Sequence, residues 1–218
     1  MTTQYPKRRD IRGALNGSRF IEQPHIQVEV QSTLDFITGP SPVLVEVGFD
    51  HGRRLHSTAL HNPRWQVLGI EVRKVRVEEA QARATREGIE NIRAWRFDAR
   101  TVFANVLPDA SVDVVEVLFP TPWWHPGVRE KRLLVDPLFV DDVARVLKPG
   151  GLFYVATDVD SYESLIRATF AQTAHFEMVC REIALSRRPE CHQLSRREWR
   201  CQKDGIAWSC FYAMKRTS

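Results

Sequence analysis

Short apolar runs alternate with longer mixed stretches along most of this chain. Val43–Val47, Gln66–Glu71, residues 92–97, Val112–Leu118 and residues 152–156 are brief, rich in β-branched and aromatic side chains, and bounded by turn residues. That combination predicts strands. Between them, residues 52–61, 72–87, 136–147 and 162–173 carry apolar positions at helical spacing. In residues 136–147 these are Leu138, Phe139, Val143, Val146 and Leu147, and the pattern stops at Lys148-Pro149-Gly150-Gly151, which reads as a turn. Before residue 40 only 26–37 has enough pattern for a helix. Such alternation predicts an α/β fold, with a mostly parallel sheet covered by helices on both faces. The end of the chain breaks the rule. Residues 176–183 and 206–214 both read as strands joined by a basic connector, which predicts an antiparallel pair at one sheet edge.

Composition narrows the class. The 218 residues suffice for one α/β domain with additions, read as a basic extension with a leading helix over 1–39 and one domain over 40–218. Hydrophobic residues at 43% and charged ones at 27% fit a globular protein. No run approaches the roughly 18 apolar residues of a membrane span, and no apolar segment follows the N-terminal charges, so a cytoplasmic protein without a membrane partner is expected. Cys180, Cys191, Cys201 and Cys210 form no C-x-x-C pair and read as reduced structural thiols. His51, His56 and His61 recur every five residues, which does not put them on one helix face, so no metal is assigned. The charge is uneven: net +4 over residues 1–20, +5 over 181–218 and −5 between them. An acidic body with basic ends fits a polyanionic partner.

Candidate chemistry gathers at the strand ends. The first strand runs into Glu46-Val47-Gly48-Phe49-Asp50-His51-Gly52, where Gly48 and Gly52 let a ligand approach the backbone. The second strand ends in Glu71, placed to accept hydrogen bonds from ribose hydroxyls, and the third is followed by Asp98 and Ala99. One acid at a strand end is usually a helix cap. Three in register, with a glycine turn, predict an adenosine site. After the fourth strand comes Phe119-Pro120-Thr121-Pro122-Trp123-Trp124. Two prolines end regular structure there and make a stiff wall whose tryptophans can stack a flat ring, one of the two being expected in the core.

These motifs resemble the Rossmann-like class I methyltransferases, and within them the bacterial tRNA (guanine-N7-)-methyltransferases. The resemblance rests on EVGFDHG (residues 46–52), GIE (69–71), NIRAWRFDA (91–99), FPTPWW (119–124), KRL (131–133), ATD (156–158) and SRRE (195–198), in order over roughly residues 40–216. It implies a seven-stranded sheet and S-adenosyl-L-methionine as cofactor, contacted by Glu46, Gly48, Gly52, Glu71, Asp98 and Ala99. It also implies a tRNA guanine held near Trp123, Trp124, His125, Asp158, Ser195 and Glu198, with Thr121 and Asp158 at the reacting atoms. Ser195-x-x-Glu198 is also a helix capping box, and both readings can hold together.

The chain departs from the family at the loop. Thr121 stands where the family has aspartate, His125 where it has lysine, Val128 where it has histidine and Glu130 where a basic residue is expected; Asp50 replaces a glycine. Guanine N7 already carries a lone pair, so methylation needs no general base, and the changes predict a weaker or retargeted enzyme. The alternatives are N-methylation of a small purine-like or other heteroaromatic metabolite, and a non-catalytic RNA-binding protein. Retained cofactor acids argue against the latter.

Overall fold

The strand runs are apolar on both sides because helices cover both faces of the sheet. The computed structural model describes residues 24–121 and 133–217. Its strands are β1 (Val43–Val47), β2 (Gln66–Glu71), β3 (Ile92–Arg96), β4 (Val112–Leu118), β5 (Leu147–Thr157), β6 (Phe176–Met178) and β7 (Ser209–Lys215). They form one seven-stranded sheet ordered β3-β2-β1-β4-β5-β7-β6. The first five run parallel; β7 is antiparallel to β5, and β6 to β7. The expected architecture and its antiparallel C-terminal edge are therefore present. Strand order reverses between β1 and β4, the switch point where open α/β sheets bind ligands.

The helices are α1 (Pro24–Ile37), α2 (Arg53–His61), α3 (Lys74–Glu87), α4 (Ala99–Asn105), α5 (Pro137–Val146), α6 (Asp160–Gln172), α7 (Arg181–Arg187) and α8 (Arg196–Asp204). On one face Val30, Phe103, Phe139 and Tyr162, from α1, α4, α5 and α6, join one apolar cluster. On the other, Leu55, Val77 and Ala184 of α2, α3 and α7 pack with Leu44 and Val67. Gly69, in the middle of β2, sets the spacing on that second face. A Cβ there would lie 2.5 Å from Leu55 and 2.6 Å from Phe49. Gly69→Ala is expected to cost about 1–3 kcal/mol by overpacking, read from urea denaturation.

Several boundaries differ from the sequence pattern. The strand expected over 176–183 ends at Met178, and Ile183 lies in α7. Phe176, Glu177 and Met178 pair in register with β7 and the Val179 N–H still donates to the Tyr212 carbonyl, but the chain turns into a helix from Arg181. The strand expected from residue 206 begins at Ser209, because Gly205 ends α8 at φ 66° and Ile206 N–H donates to the Cys201 carbonyl. The basic connector folds into α7 and α8. The expected turn over 148–151 is a bulge inside β5, where the register jumps from Val112↔Leu147 to Val114↔Leu152. Helix α4, only seven residues long, had no visible period, and its start is fixed by Asp98 accepting from the Arg100 N–H.

Candidate active site

Two adjoining cavities open at the carboxyl ends of the central strands. The turn after β1 folds back onto β2: Gly48 sits at φ 74°, and its N–H donates to the Ile70 carbonyl at 2.8 Å. A Cβ on Gly48 would meet nothing within 4 Å, so the missing side chain keeps the backbone open to a ligand. The first cavity, about 680 Å³, is lined by Gly48, Glu71, Asp98, Ala99 and Thr121 with apolar walls including Ile70 and Phe97. Gly52 lines neither cavity. It precedes α2 at φ 64° and packs against the His56 ring, where a Cβ would come within 3.2 Å.

Glu71 is anchored from several sides. Its Oε1 accepts from the Val72 and Arg73 N–H groups at 2.9 and 3.1 Å, and its Oε2 from the Asp50 N–H at 3.3 Å. The Arg73 guanidinium bridges Glu71 and Asp50, reaching Asp50 at 2.7 Å. Asp50 adopts φ 49° without being glycine. Phe119, at φ 52°, is stranger still: a bulky residue directly before proline held in the left-handed region. Its N–H donates to the Ala156 carbonyl at 2.8 Å, which pins the start of the loop to β5. Backbone strain of this kind concentrates at functional sites.

The second cavity, about 480 Å³, shares Gly48, Phe119, Pro120 and Thr121 with the first and adds Glu46, Asp158 and Ser195. Arg196, Arg197 and Arg200 line it as well. Asp158 is nearly buried and accepts from Arg197 Nε at 2.8 Å and from the same guanidinium's Nη2. Ser195 caps α8. Its hydroxyl accepts from the Glu198 N–H at 3.1 Å, while Glu198 Oε2 accepts from the Ser195 N–H at 2.7 Å. The capping box is formed, and the Glu198 carboxylate lies behind it on a third cavity of about 850 Å³. Trp123, Trp124 and His125 lie outside the described residues.

The sequence reading missed a buried ionic cluster at the third cavity, whose lining includes Arg54, Arg188 and Glu198. Glu116 on β4 receives Arg54 Nη2 at 2.8 Å and Arg188 Nη2 at 2.6 Å, and Arg54 Nη1 lies 3.7 Å from Glu198. A glutamate inside the apolar run Val112–Leu118 was the available signal, since a charge in a buried strand needs partners.

The comparisons with known proteins agree with this geometry. The family model Methyltransf_4, described as "Putative methyltransferase", matches residues 40–210. A protein named tRNA (guanine-N(7)-)-methyltransferase from Yersinia enterocolitica is 34% identical over 197 residues, 88% of this chain and 82% of the relative. This chain belongs to the tRNA (guanine-N7-)-methyltransferase family. Another relative of that name, from Nitrosococcus oceani, is 40% identical over 147 residues, and the match spans only 61% of its length. Among solved structures, the 16S rRNA methyltransferase KamB matches with a TM-score of 0.58 at 18% identity, covering 89% of this chain and 94% of KamB. TrmN from Thermus thermophilus matches at 0.55 and 18%, covering 87% of this chain and 48% of TrmN. At such identity the structures show the class I methyltransferase fold. As a member of its family, the chain is an S-adenosylmethionine-dependent methyltransferase. The first cavity's donor set fits that cofactor, with apolar walls for a purine, an open glycine turn, and carboxylates at two strand ends to accept hydroxyl and amine hydrogens.

Proposed function

We propose that this chain methylates N7 of a guanine in tRNA, in the cytoplasm, from S-adenosylmethionine held in the first cavity. The observation that carries the reading is the shared wall of Gly48 and Phe119–Thr121, which sets a cofactor-shaped cleft beside a cavity lined by Asp158 and by Arg196, Arg197 and Arg200 of α8. The relatives cited above, each named for tRNA guanine-N7 methylation, support the acceptor. Among the described residues no helix is long and apolar enough to cross a membrane.

When bound, S-adenosylmethionine supplies an electrophilic methyl group on a sulfonium. Glu71 would accept from the ribose hydroxyls, Asp98 and the adjoining Ala99 would meet the purine edge, and Gly48 would let the ligand reach the backbone. Because N7 carries a lone pair, the residues around it need only align it with the methyl group, a proximity effect. Positive charge moves onto the purine during transfer, and the Asp158 carboxylate offsets it. Ser195 contacts the nucleotide from the tip of α8, with Glu198 fixing it through the capping box. Arg196, Arg197 and Arg200 meet phosphates. Thr121 offers a neutral hydroxyl at the wall between the cavities.

The test is incubation with labelled S-adenosylmethionine and unmodified tRNA, followed by nucleoside analysis for 7-methylguanosine. No label in tRNA, despite cofactor binding by calorimetry, defeats the proposed acceptor. Thr121→Asp adds a carboxylate at the shared wall and is expected to raise the tRNA methylation rate by roughly tenfold. An unchanged or lower rate would show that this wall no longer works in the family manner.

A further inference from the structure

The third cavity, about 850 Å³, has no part in the proposed methyl transfer. Its sheet side is aromatic. Tyr154 on β5 and Tyr212 on β7 are register partners, and their rings stack at 4.9 Å with 16° between their planes. Trp208, just before β7, lines the same cavity and remains 37% exposed. Leu185 and Leu194 line it too and are more exposed still, so the fold leaves an apolar mouth uncovered. Charges of both signs stand around this surface: Arg54, Arg181 and Arg188 against Glu190 and Glu198. Arg54 and Arg188 are over nine-tenths buried, and each keeps an Nε hydrogen that no described residue accepts. A simple anion would meet the two glutamates. A nucleobase suits the whole lining, because it offers a flat face for stacking and an edge that carries donors and acceptors side by side.

The position ties this cavity to the acceptor site. Ser195, at the tip of α8, lines the second cavity, and Glu198, three residues on, lines the third. Three helical residues rise about 4.5 Å, the scale of one nucleotide step. The Trp208 ring lies beside that of Phe119, with centroids 6.5 Å apart, and Phe119 lines the second cavity. A strand whose guanine enters the second cavity can place its next base in the third. We propose that the third cavity is a second nucleotide pocket, taking a base next to the target guanine in the same RNA strand, with Trp208 as its stacking platform and Arg181 at the adjoining phosphate. This rests on the reading of tRNA as the acceptor.

Steady-state methylation of unmodified tRNA transcripts tests it, comparing the intact transcript with two that carry an abasic residue on one or the other side of the methylated guanine. With the unaltered protein, one abasic transcript is expected to show a KM raised by roughly tenfold. Trp208→Ala should raise KM for intact tRNA by the same factor, leave kcat and S-adenosylmethionine affinity within about twofold, and show no further loss with that abasic transcript. Trp208→Phe, which keeps a ring to stack on, should recover most of the loss. Additive losses in Trp208→Ala, or a KM that neither abasic transcript changes, overturn the inference. Should Trp208→Ala fail to fold, Arg181→Ala decides, since that side chain is exposed. The slope of log affinity for tRNA against log salt should then fall by roughly 0.7–0.9, and an unchanged slope overturns the inference. A protein that binds S-adenosylmethionine yet methylates no tRNA defeats the acceptor reading, and this inference with it.

Discussion

Glu116→Ala is expected to destabilise the protein by about 3–5 kcal/mol, because it leaves two buried guanidinium groups without their main acceptor. For a chain of this size that corresponds to a fall in melting temperature of about 6–20 °C. The magnitude comes from burial. Arg54, Arg188 and Glu116 are each at most 9% exposed, so water cannot replace the lost bonds. The pair Lys74–Glu78 on the surface of α3 is the contrast: at 3.5 Å with both side chains well exposed, its loss through Glu78→Ala should change stability by less than about 1 kcal/mol. Differential scanning calorimetry on both variants makes the comparison, and equal shifts would show that the buried cluster contributes no more than a surface pair. The sign with pH is also fixed. Burial raises the Glu116 carboxyl, but Arg188 and Arg54 outweigh it and hold the group below its ordinary value. Its contribution is therefore complete above the ordinary carboxylate range and lost as pH falls through the lowered value. Because Arg188 comes just after α7 and leads into α8, the same variant should also speed amide exchange in the segment carrying Ser195.

The sheet was legible because its central strands are valine-rich runs that nothing but a doubly covered sheet accommodates. Val43–Val47 and Val112–Leu118 announce their type, while their place at the centre is seen only in the fold. The edge was harder. Residues 176–183 contain apolar side chains compatible with either period, and only their pairing with β7 decides where strand gives way to helix. The acids at the strand ends were legible as a set, since parallel strands all finish at one edge of the sheet and bring their last residues together there. Their division between two cavities was not, because it depends on how far the Gly48 turn and the loop from Phe119 reach across. The left-handed backbone of Phe119 leaves no mark in composition, whereas Asp50, a residue type that tolerates that region and stands where the family has glycine, gave a partial sign of it. The ionic cluster was half visible. Glu116 stands out in its strand, but Arg54 is 62 residues away along the chain and only the folded α2 brings it back. Ser195-x-x-Glu198 read correctly as a cap, and the cap determines which way its carboxylate faces.

Asp158→Asn is expected to lower the rate of tRNA methylation by roughly 10²-fold while leaving cofactor affinity within about twofold. The carboxylate lines the second cavity and not the first, so its loss should weigh more on the acceptor than on the cofactor cleft. Asparagine keeps the shape and can still accept from Arg197, which leaves charge as the variable. Arg197 complicates the reading, because its guanidinium bonds Asp158 directly and offsets part of that charge. Arg197→Ala separates the two roles. If Arg197 serves mainly to meet phosphate, its loss raises KM for tRNA and reduces the salt dependence of binding, while kcat holds or rises as Asp158 regains its full charge. If Arg197 is needed to aim Asp158, kcat falls with it. Steady-state kinetics of both variants at two salt concentrations distinguishes these outcomes. An Asp158→Asn enzyme with unaltered kcat would mean that Asp158 serves only to anchor Arg197. The positive charge arriving on the purine would then have to be met elsewhere in the site, with Glu46, on the wall of the same cavity, the next group to test.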